Sequence, residues 1–374
     1  MSQPLVSTVI PTRNRPRLVT RAVQSAIKQT YQNIEVVVVV DGPDSLTTEA
    51  LRTITDERLR VIQLPAQVGG SDARNAGVQA ARGEWVAFLD DDDEWLANKI
   101  EKQVQRARQS RSAAPIVCSQ LLAHRDHEDV LIWPRKAPSL PICEYLFSRT
   151  SWSFGEGLLS TITLLIPRRL LLEVPFTSGL RKYQDFDWVL RVTSYKPDTL
   201  IEFIPEPLAI WHMGTATVST TDDWKWAWTW IRSQRKQVTA RAYSGFIASS
   251  VAPQAARQKQ WQAFFPLLHD ALTQGDPTLF QIVLYFSMWF APPWVRRLAR
   301  KRSQGTNKAP VFTPAAKGTA PPLAATQDVP RPSWPCSGAG GAPVAQKSSR
   351  PDTNFGNSSE DTLQCDDRSR QEAV

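Results

Sequence analysis

The fold is decided by the stretch Trp85-Val-Ala-Phe-Leu89 and the acids that follow it, Asp90-Asp-Asp-Asp-Glu94. A short apolar run bounded by turn residues predicts a buried strand. Five adjacent carboxylates repel one another unless a cation or solvent screens them. Asp90 and Asp92 can converge from a turn on one hard divalent ion, for which oxygen ligands favour Mg²⁺ or Mn²⁺. The alternative is a solvated acidic loop at the start of a helix, where negative side chains interact favourably with the helix dipole.

Working outward, the first 110 residues alternate between strand and helix patterns. The predicted strands are Leu5–Ile10, Ile34–Val40, Arg60–Leu64 and Trp85–Leu89, and helical spacing between them covers Leu18–Ile27, Leu46–Ile54 and Ala73–Ala80. Continuous apolar strands separated by helices predict a mostly parallel, Rossmann-like α/β sheet covered on both faces. Ligands of such sheets bind at the carboxyl ends of the strands.

Two turns at that edge are candidate binding elements. After the first strand comes Pro11-Thr-Arg-Asn-Arg-Pro16, where free backbone N–H groups and two arginines could meet an anion. After the second strand, Asp41 precedes Gly42, and its carboxylate can accept hydrogen bonds from a ribose or a base. Taken separately, each is equally well explained as an ordinary turn.

Taken together, these motifs resemble the inverting family 2 glycosyltransferases of the GT-A fold over about residues 5–215. The matching text is Val6–Asn14, Ile34–Gly42, Gly69–Gly77 and Gly83–Asp93. The resemblance implies a nucleotide-sugar site formed by Pro11, Thr12, Asn14, Asp41, Arg74 and Asp91, and a metal held by Asp90 and Asp92. One departure is Val40, which stands where the family often has a second acid.

The segment Pro175–Arg191 resembles the family's acidic pair at the start of a helix, with Gln184 in place of the usual Glu. The resemblance implies that Asp185 is the catalytic base, and an ordinary aspartate is already ionised at neutral pH. The alternative is an acid in the first helical turn, which applies equally to Asp187. His212 follows an apolar strand and is a candidate metal ligand by the same resemblance, or else a structural hydrogen-bond donor.

The remainder of the chain gives weaker signals. Residues 115–160 lack regular spacing, as expected of an acceptor region, and Ser160–Pro167 predicts a strand followed by a helix at Arg168–Glu173. Four tryptophans at positions 224, 226, 228 and 230 follow an N-cap signature, and one helix face cannot bury all four. Burial between layers, sugar stacking and membrane contact all remain open. Leu279–Val295 is too short and too interrupted to span a bilayer, which leaves an amphipathic anchor with a basic flank or a buried helix.

The predicted organisation is a nucleotide-sugar-binding half (1–114), an acceptor-binding half (115–218), a Trp-rich helical extension (219–300) and a disordered tail (301–374). The tail is rich in Pro, Gly, Ser and Ala and lacks a core-forming pattern. A chain of 374 residues excludes one small domain. The four cysteines form no CxxC pair, which excludes a zinc ribbon and fits a reducing compartment.

These features predict a metal-dependent glycosyltransferase that uses a nucleoside-diphosphate sugar and a glycan or lipid-linked acceptor in polysaccharide assembly. The net charge of +8 is not collected into one long basic run, so no nucleic-acid partner is expected. With no recognisable secretion signal, the expected location is cytoplasmic, with possible peripheral contact at the inner face of the membrane. The alternatives are a nucleotidyltransferase, for which a glycine- and lysine-bearing phosphate loop is missing, and a non-catalytic nucleotide-sugar binder or membrane assembly partner.

Overall fold

The computed structural model describes residues 3–126, 129–152, 156–213 and 223–292, together with residues 294, 295 and 298. The predicted tail and the basic flank of the anchor, Arg296, Arg297, Arg300, Lys301 and Arg302, lie outside these described residues. By internal contacts the chain divides into Met1–Thr313 and Pro314–Val374, so every described residue belongs to the first unit.

The first part of the molecule is a run of alternating strands and helices. Its strands are β1 (Val6–Thr12), β2 (Ile34–Val40), β3 (Leu59–Gln63) and β4 (Trp85–Phe88), and its helices are α1 (Pro16–Ile27), α2 (Ser45–Arg52) and α3 (Gly70–Ala80). The predicted order of elements is therefore confirmed, and β2 is buried at every position. Leu46, the first apolar residue of the helical spacing at Leu46–Ile54, does not pack in the core. It is 74% exposed, because α2 packs through Thr47 and Leu51 instead.

The second part is more varied. It contains β5 (Glu94–Trp95), α4 (Lys99–Gln109), β6 (Ile116–Asp126), β7 (Asp129–Trp133), α5 (Ile142–Phe147), β8 (Leu165–Pro167), α6 (Arg168–Glu173), α7 (Gln184–Tyr195) and β9 (Ile201–His212). The eleven-residue strand β6 lies where irregular structure was expected. The strand predicted over Ser160–Pro167 is wrong in its first half, because Thr161–Thr163 form a 3₁₀ turn whose carbonyl groups accept hydrogen bonds from Trp95 and Gln103.

Among the described residues, nine strands form one sheet in the order β3-β2-β1-β4-β8-β6-β9-β5, with β7 paired to β6. Strands β1 to β4 are mutually parallel, whereas β8 runs antiparallel to both β4 and β6. Strand β6 again pairs in parallel with β9. The carboxyl ends of β1, β2 and β4 therefore meet at one edge, which is where the predicted turns and acids lie.

A helical layer follows the sheet. Its elements are α8 (Trp224–Ser233), α9 (Ala240–Phe246), a π-helical turn (Ile247–Val251), α10 (Ala252–Arg257), α11 (Phe264–Thr273) and α12 (Leu279–Phe290). Asp223 caps α8 by accepting from Trp226 N, as the N-cap signature predicted. All four tryptophans belong to one apolar cluster, with Trp224 and Trp230 buried and the other two partly buried. Burial between layers thus accounts for them.

Helix α12 begins with a capping box between Thr278 and Gln281 and ends before Pro292. No helix in the described part of the chain combines the length and apolar character needed to cross a bilayer.

Candidate functional site

The acids after β4 are compensated by arginines from the neighbouring elements. Arg15, at the start of α1, donates to Asp91 Oδ1 at 2.8 Å and to Asp92 Oδ2 at 3.1 Å. Arg74, on α3, donates to Asp90 Oδ1 at 2.5 Å. Burial and the neighbouring Asp90 raise the pKa of Asp92, although Arg15 opposes this shift. The cluster is therefore a crowded set of oxygen ligands that is only partly neutralised by the protein.

A hydrogen bond between Thr12 and Asp91 joins the turn after β1 to the acidic stretch after β4. Thr12 Oγ1 donates to Asp91 Oδ2 at 2.8 Å, and both side chains are buried. Burial raises the pKa of Asp91, whereas Arg15 and Thr12 favour its ionised form. Asn14, by contrast, is exposed with a positive φ of 53°, and its backbone N–H donates to Asp44. Its position is that of a turn residue beside the site.

Asp41 binds the loop that leads into α3. Its two oxygens accept from Val68 N at 2.7 Å and from Gly69 N at 3.0 Å. The close approach of this loop to Gly42, where a Cβ would lie 3.0 Å from Gln67 N, explains the glycine there. Asp41 thus fixes the rim of the site in addition to lining it.

Arg74 joins the acidic cluster to the start of α7. Besides Asp90, its guanidinium donates to the side-chain oxygen of Gln184, while Gln184 Nε2 donates to Leu180 O at 2.6 Å. The next residue is Asp185. Desolvation raises the pKa of Asp185 to about 6, which departs from the ordinary aspartate expected from the sequence. A carboxylate with this pKa is ionised at neutral pH yet more basic than an exposed aspartate.

Asp187 has different surroundings from Asp185. Its Oδ2 accepts from Thr177 Oγ1 at 2.7 Å and from Arg191 Nε at 2.9 Å, and the side chain is buried. The Thr177 contact holds α7 against the preceding loop, and Arg191, a residue of α7, itself donates through Nη2 to Pro175 O of that loop at 2.7 Å. Asp187 therefore acts as a structural anchor of the helix.

The structure does not bring the ring of His212 to the metal candidates. His212 Nε2 lies 2.8 Å from Glu94 Oε1, and Arg21 Nε lies 3.4 Å from the same oxygen. The backbone N–H of His212 donates to Asp93 Oδ1 at 2.9 Å. These contacts tie the end of β9 to the acidic stretch, and no group of three or more His, Cys, Asp or Glu suited to a metal occurs among the described residues.

A cavity of about 1200 Å³ contains most of these groups. Of the residues predicted from the sequence, Pro11, Thr12, Asp41, Arg74, Asp90, Asp91, Asp92 and Asp185 line it, and Asn14 and His212 do not. Arg15, which also lines the cavity, was indicated only as one of two arginines in the opening turn. No motif pointed to Ser249, Ser250, Gln254 and Arg257, which reach the cavity from the helical layer. At this size the cavity exceeds the ~300–1000 Å³ of a typical single-ligand pocket.

A family model, two relatives and one solved structure are similar to this chain. The family model described as Glycosyl transferase family 2 matches residues 7–170. The amylovoran biosynthesis glycosyltransferase AmsB of Erwinia amylovora is 26% identical over 247 residues, or 63% of this chain and 79% of the relative. The UDP-Glc:alpha-D-GlcNAc-diphosphoundecaprenol beta-1,3-glucosyltransferase WfgD of Escherichia coli is 35% identical over 104 residues, or 28% of this chain and 41% of the relative. The crystal structure of S. aureus TarS 1-349 in complex with UDP-GlcNAc aligns with a TM-score of 0.55 at 15% identity, covering 80% of this chain and 92% of that one.

Proposed function

We propose that the chain, whose residues 7–170 match the model of glycosyl transferase family 2, moves a sugar from a nucleoside-diphosphate sugar to a hydroxyl acceptor by metal-assisted inversion. The observation that carries this mechanism is that the acids after β4 and Asp185 line the same cavity. The names of AmsB and WfgD support an acceptor from polysaccharide assembly, including one linked to a lipid.

We propose that residues 1–114 bind the donor, residues 115–218 bind the acceptor and residues 219–300 close the cavity, with 301–374 as a tail dispensable for turnover. Pro11, Thr12, Asp41, Arg74 and Asp91 would contact the nucleotide. Asn14 would act indirectly, by shaping the turn that carries Thr12.

The residues fit a divalent cation. Asp90 and Asp92 each give one oxygen to an arginine and retain a second oxygen for a hard ion, and a two-carboxylate site completed by phosphate oxygens is typical of Mg²⁺ or Mn²⁺. When bound, the ion neutralises charge on the departing diphosphate as a Lewis acid. The ring of His212 would have to leave Glu94 to act as a third ligand, so we propose that His212 supports the acidic stretch from β9.

Asp185 performs the proton transfer in this proposal. Its carboxylate accepts the proton of the acceptor hydroxyl as the oxygen attacks the anomeric carbon from the face opposite the diphosphate. Arg74 and Gln184 hold the first turn of α7 at a fixed position relative to Asp90. The proposal requires Asp185 and the acidic cluster to act on the reacting carbon from opposite sides, because inversion needs attack opposite the leaving group.

The decisive experiment is a screen of nucleoside-diphosphate sugars for release of free nucleoside diphosphate, with Mg²⁺ or Mn²⁺ present. The wild type should release diphosphate from one donor, and both chelation and Asp92→Asn should abolish the release while the fold persists by circular dichroism. Full activity in excess chelator would exclude the metal-assisted mechanism. Incorporation of a nucleoside monophosphate into the product would instead indicate a nucleotidyltransferase.

We also propose peripheral membrane contact through the aromatic face of α11 and α12. Phe265 is 75% exposed and Phe290 is 61% exposed, and the rings of Trp261 and Phe286 lie beside Phe290, with centroids 6.0 Å and 6.2 Å away. Exposed aromatic side chains beside basic residues are typical of a helix lying in the lipid interface. In sedimentation with anionic vesicles, the double variant Phe265→Ser and Phe290→Ser should bind several-fold more weakly than wild type. Equal partitioning of the two proteins would rule out this contact.

A further inference from the structure

Tyr183, the residue directly before α7, has a left-handed backbone conformation, with φ 63° and ψ 25°. A tyrosine rarely adopts this conformation, because its Cβ is crowded by the neighbouring backbone. Such a conformation persists only where the surrounding structure holds it, and residues of this kind are concentrated at active sites. Tyr183 lines the cavity, and Asp185 follows it by two residues. The strained position is therefore next to the proposed base.

Helix capping does not account for this conformation. Besides Tyr183, the non-glycine residues with a positive φ in the described part of the chain are Asn14 and Lys259. Asparagine tolerates the left-handed region, and Lys259 follows α10, where a left-handed residue commonly ends a helix. Before a helix the backbone is usually extended and a side chain caps the first turn, as Thr278 does for α12. The side chain of Tyr183 makes no such capping hydrogen bond to α7.

The side chain of Tyr183 is instead bound by the helical layer. Its ring stacks on Trp226, with centroids 5.5 Å apart and planes at 27°, and packs on Trp230 and Phe246 at 4.8 Å and 5.2 Å. Its Oη accepts a hydrogen bond from Gln254 Nε2 at 3.2 Å. These partners belong to α8, α9 and α10. We refer to Trp226, Trp230 and Phe246 as the aromatic socket, and its contacts hold the ring in place.

The same contacts reach Asp185 from both of its neighbours. The ring of Phe186, directly after Asp185, stacks on the Tyr183 ring with centroids 5.9 Å apart and planes at 10°. The backbone N–H of Phe186 donates to Asp185 Oδ1 at 2.9 Å, and Tyr183 O accepts from Asp187 N at 2.8 Å. A shift of Tyr183 would therefore move the backbone that carries Asp185 and the N–H group that orients its carboxylate.

We propose that Tyr183 is a positioning residue: the aromatic socket holds its left-handed backbone, and this conformation sets where Asp185 lies in the cavity. The inference rests on the proposed glycosyl transfer and gives the helical layer a part in it beyond closing the cavity. A misplacement of about 1 Å can reduce a rate about a hundredfold. Binding of the nucleotide should change little, because Asp91 and Asp92 are held by Arg15, on a different element.

The test uses the full chain and measures release of nucleoside diphosphate from the donor that the nucleotide-sugar screen identifies, with water as the acceptor. Trp226→Leu removes the ring that stacks on Tyr183 and leaves the loop before α7 unchanged. We expect this variant to lower kcat by at least about tenfold. The calorimetric dissociation constant of the nucleoside diphosphate and the KM of the donor should remain those of the wild type.

Trp228→Leu is the matched control. Trp228 is also half-buried on α8, but its ring stacks on Trp224 at 6.2 Å and its Nε1 donates to Asp270. Its loss should lower the melting temperature and leave kcat unchanged, because these partners belong to the helical layer.

Variants of Tyr183 itself test the contact from the other side. Tyr183→Phe keeps the ring in the aromatic socket and should retain the kcat of the wild type, whereas Tyr183→Leu should lose as much as Trp226→Leu. The double variant Tyr183→Leu and Trp226→Leu should be no slower than Tyr183→Leu alone, because both substitutions remove the same contact.

Three results would overturn the proposal. The first is a wild-type kcat in Trp226→Leu, and the second is an equal loss in Trp226→Leu and Trp228→Leu, which would indicate a general loss of packing. The third is a loss that lies entirely in KM and nucleotide affinity, which would assign Tyr183 to donor binding. The two tryptophan variants decide the matter even where Tyr183→Leu does not fold. A wild type that releases no nucleoside diphosphate from any donor would count against the proposed function instead.

Discussion

The two parts of the sheet differ in how they hold their functional groups. Strands β1 to β4 are parallel and apolar, and the acids that follow them are held by arginines of the same part, Arg15 and Arg74. The strands from β5 to β9 mix directions, and Asp185 lies on a helix supported by aromatic packing from the helical layer. Tyr183, two residues before it, stacks on Trp226 and packs on Trp230. The part proposed to bind the donor is thus built locally, whereas the part proposed to bind the acceptor depends on distant segments.

Substitution of Asp185, in the second part, should have the largest effect on sugar transfer. Asp185→Asn keeps the size of the side chain but cannot accept a proton, so we expect transfer to fall by at least about a hundredfold. Nucleotide affinity should hardly change, because Asp90 to Asp92 are intact. The measurement is steady-state transfer beside calorimetric nucleotide binding.

Asp187→Asn is the matched control for that variant. Because its carboxylate binds Thr177 and Arg191, the substitution should lower the melting temperature and change transfer much less. If Asp187→Asn loses transfer while Asp185→Asn keeps it, the assignment of the base is wrong.

The pH dependence of sugar transfer should also be determined by Asp185, in the second part. Desolvation raises the pKa of Asp185 to about 6, so the carboxylate is active above that pH and protonated below it. We expect kcat/KM to be constant above about pH 7 and to fall about tenfold per unit below pH 6. A profile that stays flat down to about pH 4.5 would show that this carboxylate does not limit the reaction.

The same contrast explains what the sequence could predict. Strand β2 is seven consecutive buried residues, so its bounds were readable from the apolar run alone. Strand β6 carries polar residues such as Ser119 and Gln120 among its apolar ones, and register shifts occur at this point, so its pattern follows no simple period. Ser249, Ser250 and Gln254 line the same cavity as Asp41 although more than 200 positions separate them from it in the chain, and only tertiary packing brings them together. Motifs predicted the residues proposed to bind the donor and also Asp185, whereas the contribution of the helical layer needed the structure.

A glycine substitution should test how tightly the first part is packed. A Cβ on Gly77 would lie 2.3 Å from Val9 Cγ1 and 3.2 Å from Val39 Cγ2, so α3 would have to move away from the sheet. We expect Gly77→Ala to lower the free energy of unfolding by about 1–3 kcal/mol in urea titration. Gly70→Ala on the same helix meets only the ends of the Arg74 and Gln184 side chains at 3.3–3.4 Å, and should change it by less than ~0.5 kcal/mol. Equal effects of the two variants would mean that α3 adjusts freely.

The last prediction concerns α4, which joins the two parts, and it concerns stability only. Gln103 Nε2 donates to Thr163 O at 2.7 Å and to Val117 O at 3.3 Å, and its Oε1 accepts from the fully buried Lys99 at 2.6 Å. Burial lowers the pKa of Lys99 well below its usual range.

Between the lowered pKa of Lys99 in the folded chain and about pH 10.4, the unfolded chain binds up to one more proton. The free energy of unfolding of the wild type should therefore rise with pH in this range, by up to ~1.4 kcal/mol per unit. Lys99→Met removes this dependence and should be the more stable protein at pH 7, with an advantage that shrinks towards about pH 9.5. Lys102→Met, in which a partly exposed lysine paired with Glu206 is lost from the same helix, should retain the slope of the wild type. Urea titrations at both pH values measure the difference. The contrary result is a Lys99→Met variant that is less stable at pH 7 and shows the same change of unfolding free energy with pH as the wild type. In that case the ammonium is bound as a cation by Gln103 and by the Trp95 ring, 4.1 Å away, and the packing of α4 depends on that charge.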